Sequence, residues 1–143
     1  MDVLHNVHLI HPKIVHFPIA LFLSAMGLEL VSLAVKKEKI HQTALHVYIL
    51  ACLIMPVAVL TGLLAESSLH MHHPVLEMHE KLALLTLGTS WMSLLILWIV
   101  AKKSPHMLRI LFLIFTIIMA SLIIVTGHYG GRMVYEYGAG VAQ

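Results

Sequence analysis

The chain has 143 residues, of which 59% are hydrophobic and 11% are charged, and its formal net charge is +2. A soluble domain carries roughly a quarter charged residues, so this composition excludes an ordinary water-soluble fold. The small net charge gives no reason to expect nucleic-acid binding, and the single cysteine, Cys52, excludes an internal disulfide and a thiolate metal site. We therefore expect a small protein that is embedded in a lipid membrane.

Four apolar segments follow one another along the chain, each near the roughly 20 residues that a helix needs to cross a membrane. They run from about Ile14 to Val35, Thr43 to Ala65, Leu82 to Ala101 and Leu108 to Thr126. Apolar runs of this length satisfy their backbone in lipid as helices, and short connections make neighbouring helices antiparallel. The sequence thus predicts an all-α integral membrane protein, an up-down-up-down four-helix bundle that forms a single domain over residues 1–143.

The first and third connections between these segments are basic. They carry Lys36, Lys37 and Lys39, and Lys102, Lys103 and Arg109. The positive-inside rule places both connections in the cytoplasm. The connection at 66–81 and both termini then face the periplasm, and we expect a multi-pass protein of the bacterial inner membrane. The first residues lack the basic region and short apolar core of a signal peptide, so we expect them to be retained.

The predicted topology divides the twelve histidines unevenly between the two ends of the bundle. Nine fall at the outer end, namely His5, His8, His11, His16, His70, His72, His73, His79 and His128. Three fall at the inner end, namely His41, His46 and His106. Because the nine come from three separate stretches of chain, they indicate a site at the outer end.

Three of these histidines are the strongest candidates for metal ligands. His16 lies inside the first span, where a histidine is a functional-site candidate. His79 falls just before the predicted third helix and His128 just after the fourth, so the three can converge at similar depth. His11 lies five residues before His16, about 140° away on a helix, so these two would have separate roles. One interfacial histidine is usually only a polar residue, but several at one depth favour a shared cofactor.

The surrounding residues favour haem among the metals that imidazole binds, which include zinc, copper and nickel. Four-helix membrane bundles hold haem between helices, where small residues let the macrocycle approach the backbone. Such small residues are Gly62 and Ala65 in the second span and Gly127, Gly130 and Gly131 around His128. Helix packing explains these glycines equally well. Arg132, at the outer interface, can pair with a haem propionate or reach a lipid phosphate.

The inner half contains one acidic residue within a span, Glu29. His46 lies near the start of the second span at comparable depth. Because an unpaired carboxylate in a span is costly, we expect a hydrogen bond between Glu29 and His46. The functional alternative for this pair is a proton or quinone site, since oxidation of a quinol releases protons together with electrons.

The stretches "HPKIVHFPIAL" at 11–21 and "GHYGGRMVYEYGAGV" at 127–141, with His79 between them, resemble a family of small bacterial membrane proteins. That family is catalogued as a domain of unknown function, and its motifs are HP-x3-HFP and GH-x-GG-x2-VY-x2-G-x-GV. The resemblance covers the whole chain and points to His11, His16, His79 and His128. Members are sometimes linked to Rieske-type iron–sulfur domains, which implies electron transfer with haem b as carrier. The "HMHH" at 70–73 departs from the family pattern.

Two hypotheses follow for function. In the first, the protein is a b-type haem subunit that links the quinone pool to a periplasmic redox partner, and is not an enzyme alone. Two of His16, His79 and His128 would be axial ligands, with His16 the favoured member of the pair. His11 would bind a second haem, or would hydrogen-bond a propionate or the second nitrogen of a ligand. In the second, it is a structural or metal-binding accessory subunit without haem. Met71, Met78 and the histidines between 70 and 79 would then bind copper or zinc.

Overall fold

The computed structural model describes residues 3–69 and 73–138, with the side chains of residues 10–66 and 73–138. Within these ranges the chain forms four helices and no strand. The helices are α1 (Val3–Val35), α2 (Glu38–Leu69), α3 (Pro74–Ala101) and α4 (Pro105–Tyr135). Each contains a stretch long and apolar enough to cross a membrane, namely Ile10–Val35, Glu38–Glu66, Pro74–Ala101 and Pro105–Tyr135. The predicted all-α fold with four transmembrane helices is confirmed.

The helices extend well beyond the apolar segments that predicted them. α1 begins at Val3, α3 begins at Pro74, and α4 continues to Tyr135. The apolar runs mark only the part that lies in hydrocarbon, whereas backbone hydrogen bonds continue each helix into its polar ends. The predicted positions of His79 before helix 3 and of His128 after helix 4 are therefore wrong, because both lie inside helices.

Capping residues mark the starts of α3 and α4. His73 caps α3 by accepting a hydrogen bond at Nδ1 from the Val75 backbone N–H, at 3.2 Å. Ser104 caps α4 in the same way, with its hydroxyl oxygen 3.3 Å from the Met107 nitrogen. Each cap precedes a proline, which is favourable in a first helical turn because its missing N–H would have no partner there. These caps fix the points at which α3 and α4 enter the bundle.

The bundle is built from two helix pairs. α1 packs most extensively against α2 and α3 against α4, and the pairs then meet along an α1–α4 seam and an α2–α3 seam. In the middle, the ring of Tyr48 packs edge-on against Phe22 and Phe112, with centroid distances of 5.2 and 5.4 Å. The Tyr48 hydroxyl lies 2.7 Å from Ser93 Oγ, which links α2 to α3. Residues that face outward are mostly large and apolar, as contact with lipid requires.

The two ends of the bundle differ in chemistry. We call the end where α1 and α3 begin and α2 and α4 finish the histidine end. The opposite end, which carries Lys36, Lys37, Lys102 and Lys103, is called the lysine end. The side chains of His5 and His8, and the whole of His70, Met71, His72 and Gly140, lie outside the described residues.

Candidate functional site

At the histidine end, the two helix pairs enclose a cavity of about 490 Å³. All four helices contribute to its wall, which is mostly apolar. Its polar side chains are His11 and His16 from α1, Glu66 from α2, His79, Glu80 and Thr86 from α3, and Thr126 and Tyr135 from α4. Cavities of roughly 300–1,000 Å³ with an apolar wall and a few polar groups are typical of small-molecule and cofactor sites.

His11 is held on the cavity wall by α2. Its Nδ1 lies 3.1 Å from the hydroxyl oxygen of Thr61. That hydroxyl donates its own hydrogen to the Ala58 carbonyl, at 2.9 Å, so its oxygen must accept the hydrogen bond from His11 Nδ1–H. In the neutral ring of His11, Nε2 therefore carries the free lone pair.

His79 is held in the same way by α4. Its Nδ1 lies 3.0 Å from the backbone carbonyl of Thr126. A carbonyl can only accept, so Nδ1 of His79 carries the hydrogen and Nε2 again has the lone pair. Thr86, which is buried, places its hydroxyl 3.4 Å from that of Thr126 and adds a further polar contact beside this carbonyl.

His16 lines the cavity from an exposed position one and a half turns deeper along α1 than His11. Its Nδ1 is hydrogen-bonded to the backbone carbonyl of Pro12. The same reasoning puts the hydrogen on Nδ1 and the lone pair on Nε2. All three histidines of the cavity wall thus carry their hydrogen on Nδ1 and a lone pair on Nε2. A ring nitrogen with a lone pair can bind a metal or accept a proton.

Two glycines make room for the two braced histidine rings. A Cβ atom at Gly62 would lie 2.9 Å from Cε1 of His11, and one at Gly130 would lie 3.1 Å from Cε1 of His79. Each ring therefore lies directly against a glycine on the partner helix of its own pair. Gly62 and Gly131, which the sequence analysis placed beside a cofactor, both line the cavity. A Cβ at Gly131 would meet nothing within 4 Å.

The two helix pairs contain short matching motifs that the sequence analysis missed. His-Pro occurs at 11–12 and at 73–74, near the start of the first helix of each pair, and Thr-Gly occurs at 61–62 and at 126–127 in the second helix. In each pair, a histidine from the first helix hydrogen-bonds to the threonine of this Thr-Gly motif in the second helix. A comparison of the two halves of the sequence would have singled out Thr61, Thr126 and the neighbouring glycines.

Two of the residues predicted to lie beside the cofactor are away from the cavity. His128 is exposed, does not line the cavity and contacts the ring of Tyr129 at a centroid distance of 5.9 Å. It follows Gly127 by one residue, which turns it about 100° around α4 from this cavity-lining position. Arg132 donates hydrogen bonds to both carboxylate oxygens of Glu136, at 2.9–3.0 Å. These hydrogen bonds lower the pKa of the Glu136 carboxyl below its ordinary value.

The metal-binding loop of the second hypothesis is only partly described. His73 uses its Nδ1 to cap α3, and its ring contacts that of Tyr137 at a centroid distance of 4.0 Å and an interplanar angle of 40°. Met78 is exposed on α3. Among the residues described, no three histidine, cysteine, aspartate or glutamate side chains are grouped so as to hold a metal ion.

A second polar cluster lies toward the lysine end. Glu29 is fully buried, and its Oε2 accepts a hydrogen bond from Nδ1 of His41 at 2.6 Å. Its Oε1 lies 3.3 Å from Nε of Arg109, whose Nη2 donates to Ser32 Oγ at 2.5 Å. These contacts join α1, α2 and α4.

The predicted hydrogen bond between Glu29 and His46 is wrong. His46 is exposed, and its Nδ1 bonds to the backbone carbonyl of Gln42 at 2.6 Å. The reason is that α2 begins at Glu38, so that His41 already lies on the helix and faces α1. His46 comes five residues later and is turned about 140° away from that face.

The comparisons with known proteins agree with this architecture. A family model described as "Predicted membrane protein (DUF2231)" matches residues 7–143. The chain belongs to this family. Membership in DUF2231 confirms the family resemblance drawn from the two end motifs, and it establishes a membrane protein with four candidate spans. The comparison with curated proteins finds no match, and neither does the comparison with solved structures.

Proposed function

We propose that the protein binds one haem b in the cavity at the histidine end, where Nε2 of His11 and Nε2 of His79 would hold it. The observation that supports this proposal is that the His11 and His79 side chains have the same location and the same hydrogen-bonding pattern. Each is on the cavity wall, each is hydrogen-bonded through Nδ1 to a protein acceptor, and each therefore has a free lone pair at Nε2. Histidine ligands of metals typically donate their second N–H in this way, which fixes the ring and raises its basicity.

The donor set fits haem better than a metal ion held by protein alone. A bare zinc or copper ion needs three or four protein ligands, and no such group is present among the described residues. A haem brings four nitrogen ligands of its own and needs only two from the protein. His11 and His79 come from different helix pairs, so each pair would supply one ligand to the haem.

The other residues of the cavity would support this role. Thr61 and the Thr126 carbonyl hold the two rings in place, and Gly62 and Gly130 leave space for them. When bound, haem b would act as a one-electron carrier. The wall is mostly apolar, and burial and ligand hydrogen bonding are the means by which a protein sets a haem potential.

The charge distribution suggests which side of the membrane the site occupies. Lysines cluster at the opposite end, and the positive-inside rule assigns that end to the cytoplasm. The cavity would then open on the periplasmic side of a bacterial inner membrane. In that position the protein would exchange electrons with other redox subunits of a membrane complex.

A visible spectrum of the purified protein in detergent tests the proposal. The dithionite-reduced minus oxidised difference spectrum should show sharp b-type bands, with one haem per chain. His11→Ala and His79→Ala should each remove these bands. His128→Ala is the matched control and should retain them, because His128 lies off the cavity.

Two results would contradict the proposal. A flat spectrum from folded wild-type protein would exclude haem and favour the copper- or zinc-binding alternative. Loss of the bands in His128→Ala, with retention in His11→Ala, would show that the axial pair is a different one.

A further inference from the structure

We infer that a membrane-soluble hydroquinone binds beside His16 at the exposed edge of the cavity and delivers electrons to the site, and that His16 accepts a hydrogen bond and then a proton from it. This inference rests on the proposed haem function. It assigns the reductant to the histidine end, whereas the sequence analysis placed a quinone contact at Glu29 and His46 near the other end.

His16 is the one cavity histidine whose position suits contact with a ligand that enters from outside. It is exposed, yet it lies within the candidate span Ile10–Val35, six residues after its start. Its Nδ1 is occupied by the Pro12 carbonyl, so Nε2 is an acceptor without a protein donor among the described residues. An exposed polar acceptor within a span is costly unless a ligand or another polar group reaches it.

The cavity is accessible from lipid. Leu63 of α2 and Leu84 of α3 line the cavity and are also 38% and 43% exposed. Because Leu63 and Leu84 lie within candidate spans, their outer faces would meet lipid. A ligand dissolved in the bilayer can therefore enter without crossing water.

These features define the chemistry of the ligand. It must be apolar enough to dissolve in lipid, because of the route of access and the apolar wall. It must carry a hydroxyl, because Nε2 of His16 accepts and does not donate. It must also supply electrons if the site holds a haem. A hydroquinone with an apolar tail is the class of membrane molecule that meets all three requirements.

The reaction balances as follows. One hydroquinone loses two protons and two electrons and becomes a quinone. Both O–H bonds break, and the two electrons would pass singly to the haem that His11 and His79 would hold, either in two chains or in one chain that is reoxidised between the steps. Nε2 of His16 takes the first proton and passes it to water at the histidine end, which regenerates the lone pair for the second.

The test compares two reductants on full-length protein in lipid nanodiscs. A decyl-tailed benzohydroquinone is mixed with the oxidised protein, and reduction is followed at the b-type band. His16→Gln keeps a polar side chain but cannot take a proton, so reduction by the hydroquinone should slow at least about tenfold. Dithionite should give the same spectrum in His16→Gln as in wild type. His128→Gln, which changes an exposed histidine off the cavity, should be reduced by hydroquinone at the wild-type rate.

Three outcomes would overturn the inference. Equal hydroquinone rates in His16→Gln and wild type would show that His16 takes no part. Failure of hydroquinone to reduce a wild-type protein that dithionite does reduce would exclude this donor, while leaving the haem proposal intact. Loss of the dithionite spectrum in His16→Gln would mean that His16 is itself a haem ligand.

A binding measurement covers the case in which the haem proposal itself fails. Equilibrium dialysis of the same hydroquinone against haem-free protein should show weaker binding by His16→Ala than by wild type. Equal binding by the two proteins would also overturn the inference.

Discussion

Glu29 Oε2 and His41 Nδ1 lie 2.6 Å apart in the interior of the bundle, where both residues are almost fully buried. Arg109 reaches the other oxygen of the same carboxylate from α4. A carboxylate without partners at this position would carry the full cost of leaving water. The cluster therefore links α1, α2 and α4 at the end of the bundle opposite the cavity.

Removing Glu29 should destabilise the protein strongly. Glu29→Ala leaves Arg109 and His41 without their shared partner, and breaking a buried ion pair in this way costs about 3–5 kcal/mol. His46→Ala is the control and should change stability by less than about 0.5 kcal/mol, because His46 is exposed and bonds only to its own helix. Unfolding in detergent, followed by circular dichroism, measures both. Equal effects of the two substitutions would contradict the assigned pairing.

The hydrogen bond between Tyr48 and Ser93 predicts which of two substitutions lowers the stability of the protein more. Ser93 donates its hydroxyl hydrogen to the Ser90 carbonyl, at 2.7 Å, so Tyr48 must be the donor in its bond to Ser93. Tyr48→Phe removes the donor and should cost about 1 kcal/mol. Ser93→Ala leaves the buried Tyr48 hydroxyl without its acceptor and should lower stability by about 1–3 kcal/mol. Thermal unfolding of the two variants would refute this assignment if Tyr48→Phe were the less stable.

Gly62 and Gly88 both lie within helices, but replacing each by alanine should change the stability of the protein differently. At Gly88 a Cβ meets nothing within 4 Å, so Gly88→Ala should stabilise α3 by up to about 1 kcal/mol. At Gly62 the Cβ would press on the His11 ring, so Gly62→Ala should be about 1–2 kcal/mol less stable than Gly88→Ala. Denaturation curves for the pair measure the difference, and identical curves would mean that the His11 ring yields without cost.

The two threonines that brace the histidines should also differ. His11 bonds to the Thr61 hydroxyl, whereas His79 bonds to the Thr126 backbone carbonyl. Thr61→Val should therefore weaken haem binding about 10–100-fold, the usual effect of losing the hydrogen-bond partner of a histidine ligand. Thr61→Ser, which keeps a hydroxyl, and Thr126→Val, which keeps the carbonyl, should bind haem nearly as wild type does.

Haem titration of the apoprotein measures these affinities. Nitrogen-15 NMR of the His11 ring provides a readout that does not depend on haem, since Thr61→Val should shift the Nδ1 signal. A shift of equal size in Thr61→Ser would show that the hydroxyl is not the acceptor.

The outline of the fold could be predicted because hydrocarbon imposes a simple rule. Any long apolar run must form a helix to satisfy its backbone in lipid, so four runs joined by short links predict four antiparallel helices. The ends of the helices could not be predicted in this way. The stretches that contain His11, His79 and His128 are polar, so no apolar run predicts that they are helical. Local caps such as His73 determine where a helix begins.

By itself, the sequence determined that the chain is a four-helix membrane protein with its histidines concentrated at one end, because composition, run length and residue order already express these properties. Only the tertiary structure decided which histidines share a cavity. His11, His16 and His79 reach it and His128 does not, because the rotation of each helix is set by packing against its neighbours. The same packing paired Glu29 with His41 and placed the Thr61 hydroxyl beneath His11, contacts that join residues distant along the chain.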